Sequence, residues 1–288
     1  MNYAGIQVNE KYSSIVAPNL YADAIFQPGV TYSDEYQGDG VGAGAVKIPL
    51  VGSSDVVNPQ VPTTDFSHEN AKNELVDVLL NNAFLKSEKI YQVQADAVPY
   101  NMAETHLARA TQNCRGGWQA SGLACLAHEG KVLDDTSTIT KSNIKANVMD
   151  TRKSIRKALA QANVVLASVD TYTAMLQAAG DQYTPNTNEM VVQSGQVGRW
   201  MGMLWVECNM LDLLAEAKYY DCTGTLQTED LTKIDYIMYD WRGFSIIDNL
   251  EALRLKDSSS FVGTLAQVAI NSGYRVPQKA RVAIKKHA

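Results

Sequence analysis

The chain has 288 residues, 45% of them hydrophobic, and a formal net charge of −6. That apolar content builds a sizeable core and excludes a disordered chain, and the acidic balance excludes a dedicated nucleic-acid binder, which carries a basic surplus. The four cysteines (Cys114, Cys125, Cys208, Cys222) show no CxxC spacing, which excludes a disulfide scaffold and implies reduced core thiols. No N-terminal basic-plus-apolar signal and no apolar run of about 18 residues occurs, so a soluble chain with no membrane contact is expected.

Residues 1–40 are polar and tyrosine-rich, with Glu10, Asp23, Asp34, Glu35 and Asp39 against Lys11. Such a stretch cannot bury itself; its tyrosines suit it to lie across another surface. Ala45 to Leu50 reads as an edge strand, because Pro49 interrupts its donors, and Gly52 to Pro62 as a loop. Glu74 to Leu80 and Phe84 to Val93 read as strands joined by an Asn81-Asn82 turn, so residues 45–93 form a β-arm. Asn101 to Glu129 reads as one long amphipathic helix of about 40 Å. Leu107, Ala110, Cys114, Trp118, Ser121 and Cys125 recur on one face, with Gln119 off it. Asn101 caps the first turn, with Glu104 three residues on, and Gly130 ends the helix. Gly116 and Gly117 in its middle imply a bend or a close pass by another backbone.

Ser142 to Ala162 reads as a helix with Ile144, Val148, Ile155 and Leu159 inward and the cations Arg152, Lys153, Arg156 and Lys157 clustered on it. Val164 to Ala167 is a short buried strand, followed by a helix capped by Asp170, a loop over Gly180 to Asn188 and a short turn over Asn188 to Gln193. Gly198 to Asn209 reads as a strand and Leu211 to Tyr219 as a helix. Ile234 to Met238 and Phe244 to Ile247 are strands about a Trp241-Arg242-Gly243 turn. Phe261 to Ile270 and Ala280 to Ile284 are strands separated by Ser272-Gly273 and Pro277. Residues 258–288 hold Arg275, Lys279, Arg281, Lys285 and Lys286 and no carboxylate. The strand and helix runs are mixed without a βαβ series, which gives an α+β class.

No catalytic set emerges. The glycines at 38–44 precede an extended Ala-Val-Lys-Ile-Pro where a phosphate cradle needs a helix. Cys125 and His128 are one turn apart, but a nucleophile pair needs a third, orienting group. The four histidines are dispersed with no HxxxH or HExxH spacing, so no metal or other cofactor is expected, and no G-x-S-x-G elbow occurs.

The order of the pieces resembles the major capsid protein of tailed bacteriophages, the Hong Kong 97-type fold. The resemblance rests on residues 1–40 as an arm, GAGAVKIPL and NELVDVLLNNAFLKSEKIYQVQ as an extended loop, and VQADAVPYNMAETHLARATQNCRGGW as the turn into a spine helix. It continues in NVVLASVDTYTAMLQAAG and QSGQVGRWMGMLWVEC as the axial region, and in FVGTLAQVAINSGYRVPQKARVAIKK as the closing strands. It implies an N-terminal arm (1–40), an extended loop (41–94), a peripheral domain with the spine helix (95–135 and 250–288) and an axial domain (136–249). The paired glycines in the spine depart from the family pattern, and the chain is at the short end for the family.

What the resemblance implies is a structural subunit, not an enzyme. It self-assembles into hexamers and pentamers of an icosahedral head around double-stranded DNA, in the bacterial host cytoplasm, and ends in the virion. The partners implied are other copies, a separate scaffolding protein, a portal, decoration proteins and weak non-specific contact with DNA. An encapsulin-type compartment, a tail or sheath protein and a thiol enzyme are the competing readings; the arm of about 40 residues favours the phage over the encapsulin. Intersubunit contact is expected at Arg152 and Arg156 on the basic helix, at Lys72 and Lys89 in the loop, and at Asp34 and Glu35 in the acidic arm. Some family members join a lysine to an asparagine covalently, but no partner asparagine or glutamate is identifiable for Lys72 or Lys89.

Overall fold

The computed structural model describes residues 25–36, 44–51, 73–180 and 199–288. The elements run β1 (Ala45–Val51), β2 (Asn73–Leu79), β3 (Asn82–Tyr91), α1 (Gln92–Ala97), α2 (Met102–Glu129), β4 (Lys131–Val132), α3 (Ile144–Lys157), β5 (Val164–Ala167) and α4 (Val169–Gly180). They continue with β6 (Arg199–Trp200), β7 (Met203–Glu207), α5 (Met210–Leu213), β8 (Ala217–Tyr220), β9 (Leu226–Glu229), β10 (Ile234–Tyr239), β11 (Ser245–Asp257), β12 (Gly263–Arg275) and β13 (Val282–Lys286). Helix and sheet are thus mixed, as the α+β reading requires.

The centre is a six-stranded mixed sheet in the order β4-β13-β10-β5-β7-β6. Every residue of β10 and β5 is buried, because both faces of the sheet are covered. On one face Val164, Leu166, Ile237, Tyr239, Val282 and Ile284 pack with the C-terminal half of α2. On the other, Val165, Ala167, Tyr236, Met238 and Ala283 pack with α3 and α4. The period of two delivers alternate residues to the two cores, and a bulge between Ile234 and Tyr236 lets Ile234 join the α2 side.

A three-stranded sheet, β11-β12-β3, lies along the N-terminal half of α2. The long helix runs from Met102 with the Asn101 side chain accepting from the Glu104 N–H at 3.3 Å, and its last turn closes where the Gly130 N–H reaches the Leu126 carbonyl at 3.0 Å. The glycine pair leaves it unbroken. What passes close is a ring: a Cβ on Gly117 would lie 3.1 Å from Phe84, whereas one on Gly116 would meet open space. Gln119, expected off the packed face, is buried, and its Oε1 accepts from the Ile25 N–H at 3.0 Å. That bond helps to hold segment 25–36 on the helix, together with Phe26 against Trp118 and the Ser33 N–H donating to the Phe244 carbonyl at 2.8 Å.

Several local expectations are overturned. Asn81-Asn82 does not turn a hairpin: β2 pairs with β1, and β3 pairs with β12. Buried Asn82 instead imitates a strand residue, its amide accepting from the Tyr220 N–H (2.8 Å) and donating to the Tyr220 carbonyl (3.1 Å). Trp241-Arg242-Gly243, by contrast, is a turn between strands as expected, and it passes the chain from one sheet to another, since β10 and β11 do not pair. Leu211 to Tyr219 is helical only to Leu213 and then becomes β8, whose alternating Ala217 and Tyr219 are buried. Gly198 to Asn209 is not one strand: at Met201-Gly202 the chain turns between β6 and β7. Ser272-Gly273 lies inside β12, where any Cβ on Gly273 would come within 2.6 Å of the Leu79 carbonyl, so the missing side chain lets β2 cross there. Ser168, not Asp170, caps α4, its hydroxyl accepting from the Thr171 N–H at 3.3 Å. The expectations for residues 1–24, 37–43, 52–72 and 181–198 lie outside the described residues.

Leu159, expected inward, is 94% exposed with φ +61° just after α3. A branched side chain in the left-handed region is strained, by roughly 1–2 kcal/mol, at the position where glycine usually closes a helix. Leu159→Gly is therefore expected to raise stability by about 0.5–1 kcal/mol after the entropy cost of glycine, visible as a higher urea midpoint at unchanged slope.

Candidate interaction surfaces

Three of the four thiols are closed into the core. Cys125 is fully buried, and burial pushes its thiol well above the ordinary range, with the neighbouring Glu129 carboxylate adding to the effect. His128, one turn on, points elsewhere, with Nδ1 2.8 Å from Glu229 Oε1. Glu129 sits beneath it, its carboxylate accepting from Arg275 Nη1 and from the Val276 N–H, both at 2.7 Å. Burial still raises its pKa despite those two donors. Cys125 therefore lies buried against the Glu129–Arg275 ion pair, and the Glu129 carboxylate that its thiol meets favours the protonated thiol over the thiolate. Among the described residues no group of three metal-ligating side chains gathers, and no helix is long and apolar enough to cross a membrane.

Half-buried Cys222 is expected to be the one thiol that a disulfide reagent labels in the native protein, since Cys114, Cys125 and Cys208 are buried. Cys125→Ser is expected to cost about 1–2 kcal/mol and to leave the protein folded. Thiol counting before and after denaturant checks the first point; prompt labelling of Cys125 would contradict it.

The C-terminal cations are used inside the subunit. Lys285 is fully buried and pairs with Asp135 Oδ2 at 2.6 Å, an interaction that holds the Asp135 carboxyl at about 2. Arg275 pairs with Glu129, Arg281 with Asp240 at 3.5 Å and Lys286 with Glu229 at 3.9 Å. These cations staple β12 to α2, β13 to β9 and to the chain just after β4, and the residue before β13 to the residue after β10. No local pattern signals this, because Lys285 and Asp135 are 150 positions apart.

Three faces remain unpartnered within the described chain. The first is β1–β2, whose strands pair with each other alone from Ala45↔Leu79 to Val51↔Asn73. The hairpin is anchored at its base by Ile48, Val76 and Val78 against Ile247, while Leu75 is 61% exposed.

The second is the side of the three-stranded sheet away from α2. Opposed residues in an antiparallel sheet share a face, so three rows run across it: Leu85·Ala269·Ala252, Ser87·Gln267·Arg254 and Lys89·Leu265·Lys256. Leu85 is 74% exposed. The Arg254 Nε donates to Gln267 Oε1 at 2.8 Å, and the first two rows floor a groove of about 420 Å³. Exposed Lys89 stands 5.8 Å from the Phe261 ring. None of the three rows contains a carboxylate.

The third is α3. Its inner stripe is Ile144, Val148, Thr151 and Ile155, and Thr151 shares a 2.7 Å hydrogen bond with the Tyr236 hydroxyl. Arg152 is half-buried and Arg156 exposed.

The residues expected at subunit contacts are thus spread over the molecule. Arg152 and Arg156 share α3, Lys89 lies on the sheet face, and Asp34 and Glu35 sit at the end of segment 25–36. Burial raises the Tyr32 hydroxyl to about 12, and the Asp248 and Asp34 charges add to the effect. Lys72 lies outside the described residues.

No family model matches the chain, and no curated protein does. Solved structures do. That of Mycobacterium phage Che8 superposes with a TM-score of 0.72 at 14% identity, over 99% of this chain and 98% of the other. The capsid of cyanophage P-SCSP1u gives 0.70 at 12% identity, over 97% and 92%. The mature capsid of bacteriophage PhiM1 gives 0.65 at 11% identity, over 96% and 92%. Identities this low speak to fold alone, and they do so over nearly the full length: the chain has the fold found in phage capsids.

Proposed function

We propose that the protein is the major capsid protein of a tailed phage, a structural subunit and not an enzyme. Copies of it close into an icosahedral head of hexamers and pentamers around double-stranded DNA. The observation that carries this reading is the full-length likeness to phage capsids. In its terms residues 1–40 are the N-terminal arm, 41–94 the extended loop, 95–135 and 250–288 the peripheral domain with α2 as its spine, and 136–249 the axial domain. The virion is the destination. A separate scaffold, a portal and decoration proteins are the further partners of such a head.

The distribution of charge supports self-assembly. The first 80 residues hold ten carboxylates and three cations, net −7, while the rest of the chain holds 21 and 22, net +1. A molecule segregated this way attracts its own copies with the acidic part of one against the body of the next. The β1–β2 hairpin is in the acidic part, and the Lys89–Arg254–Lys256 face is its complement on a neighbour. Each such pair is worth about 0–1 kcal/mol, but a shell repeats it at every contact. Negative-stain imaging of the purified protein, alone and with a co-expressed scaffold, tests the reading. Closed shells are expected; tubes, or a monomer that persists at high concentration, would sink it.

A further inference from the structure

α3 gathers five cations on one helix of 14 residues. Its outward side carries two adjacent columns at helical spacing, Lys145–Met149–Arg152–Arg156 and Ala146–Asp150–Lys153–Lys157. Five of these eight residues are cations, and Asp150 is the single carboxylate. None of the five makes an ion pair with a described residue, whereas Arg275, Arg281, Lys285 and Lys286 all do. Attraction to the helix C-terminus accounts for Arg156 and Lys157 in the last turn and falls off beyond it. It leaves Arg152 and Lys153 unexplained, and it opposes Lys145 in the first turn.

We infer that the outward face of α3 is a contact surface for the phosphate backbone of double-stranded nucleic acid. The inference rests on the shell reading for its ligand and names the part of the subunit that meets it. From Lys145 to Lys157 the cations span about 18 Å, and a duplex carries a charge about every 1.7 Å of its axis counting both strands, so about ten phosphates lie around that length and several of them on the side that meets the helix. The outward residues include no aromatic ring on which an unpaired base would stack. Neither column holds an asparagine or glutamine, the amides that read an adenine edge, and three of the five cations are lysines, which meet phosphate as point charges. Contact is therefore to the backbone and independent of sequence.

The chain's own acidic segment matches this face poorly. Between residues 1 and 40 the carboxylates stand singly, apart from Asp34-Glu35. That pair is tethered to its own subunit by the bond from the Ser33 N–H to the Phe244 carbonyl.

The test is fluorescence anisotropy of a labelled duplex of about 30 bp and arbitrary sequence with the full-length subunit, across a salt series. Five phosphate contacts give a slope of log K against log salt of about −4.5, and R152Q/R156Q reduces it to about −2.7. K153Q/K157Q does the same, while Lys279→Gln, a charge removed from an exposed residue elsewhere, leaves the slope unchanged. All substituted side chains are outside the core, and far-UV circular dichroism confirms that each variant is folded. Wild-type slopes in both α3 variants would overturn the inference. So would displacement of the duplex by a peptide of residues 1–40 at equal charge concentration, which would assign the face to a second copy. The shell reading is scored separately by imaging the same proteins: shells from a variant with reduced slope support the inference, and shells from a variant with the wild-type slope overturn it.

Discussion

Truncating Phe244 to alanine is expected to cost about 3–5 kcal/mol, the usual result of emptying a fully buried aromatic site. Phe244 has no exposed surface and lies where three parts of the chain meet. Its ring is 5.4 Å from Phe26, which comes from segment 25–36, and edge-on to Tyr239 of β10 at 6.3 Å. Phe26 in turn stands against Trp118 of α2 at 5.9 Å. Removing the Phe244 ring leaves its backbone carbonyl in place for the Ser33 N–H, so the loss is one of packing and cavity formation. Neighbouring rings are rigid and refill such a space poorly. Against a typical stability of about 5–15 kcal/mol, the loss is large enough to depress the yield of folded subunit. Phe244→Leu, which keeps most of the volume, is expected to cost less than about 1.5 kcal/mol. Urea unfolding with unchanged slope checks both; a loss under about 1 kcal/mol for alanine would contradict the packing described.

The parts of the fold readable from sequence are those whose determinants are local. α2 is one: cap, periodic face and terminal glycine all lie within one short stretch, and the helix found is the helix expected. The apolar runs of β5 and β10 also announce buried strands, although nothing in them says which strand is the neighbour. What was not readable depends on distant partners. Asn82 looks like a turn residue until Tyr220 is brought beside it. Gly273 looks like a break until β2 crosses there. The carboxylate-free run 258–288 looks like a free basic surface, yet Glu129, Asp135, Glu229 and Asp240 neutralise four of its cations. The α3 cluster escapes that fate because its inner stripe is taken up by packing and its outer stripes meet no acidic element among the described residues. As for the candidate contacts, sequence could place Arg152 and Arg156 on one helix. It could not place Lys89 in a row with Leu265 and Lys256, since that depends on register across three strands.

Replacing residues 52–72 by Asn-Gly is expected to leave the subunit folded and to abolish shell formation. Val51 and Asn73 are directly opposed at the end of β1–β2, and two residues of this type close such a pair in a tight turn. The contacts that fix the hairpin to the body, Ile48, Val76 and Val78 against Ile247, all lie on the retained side. Shortening the connection from 21 residues to two also removes closure entropy, worth up to about 2 kcal/mol to the folded state. Stability should therefore hold or rise, with unchanged far-UV circular dichroism. Assembly should fail because the removed residues carry Asp55, Asp65 and Glu69 against Lys72, acidic charge that in the proposed shell lies over a neighbour's Lys89, Arg254 and Lys256. Sedimentation velocity separates the outcomes: a folded, slowly sedimenting subunit is expected, with the yield of closed particles down by roughly tenfold or more, as the loss of a few such pairs per contact implies. Shells at normal yield from this variant would remove the hairpin connection from the assembly reading while leaving the fold untouched. Charge reversal at Lys89, Arg254 and Lys256 together should reproduce the defect in a full-length chain, and mixing that variant with wild type should dilute it, as expected of a contact made between copies.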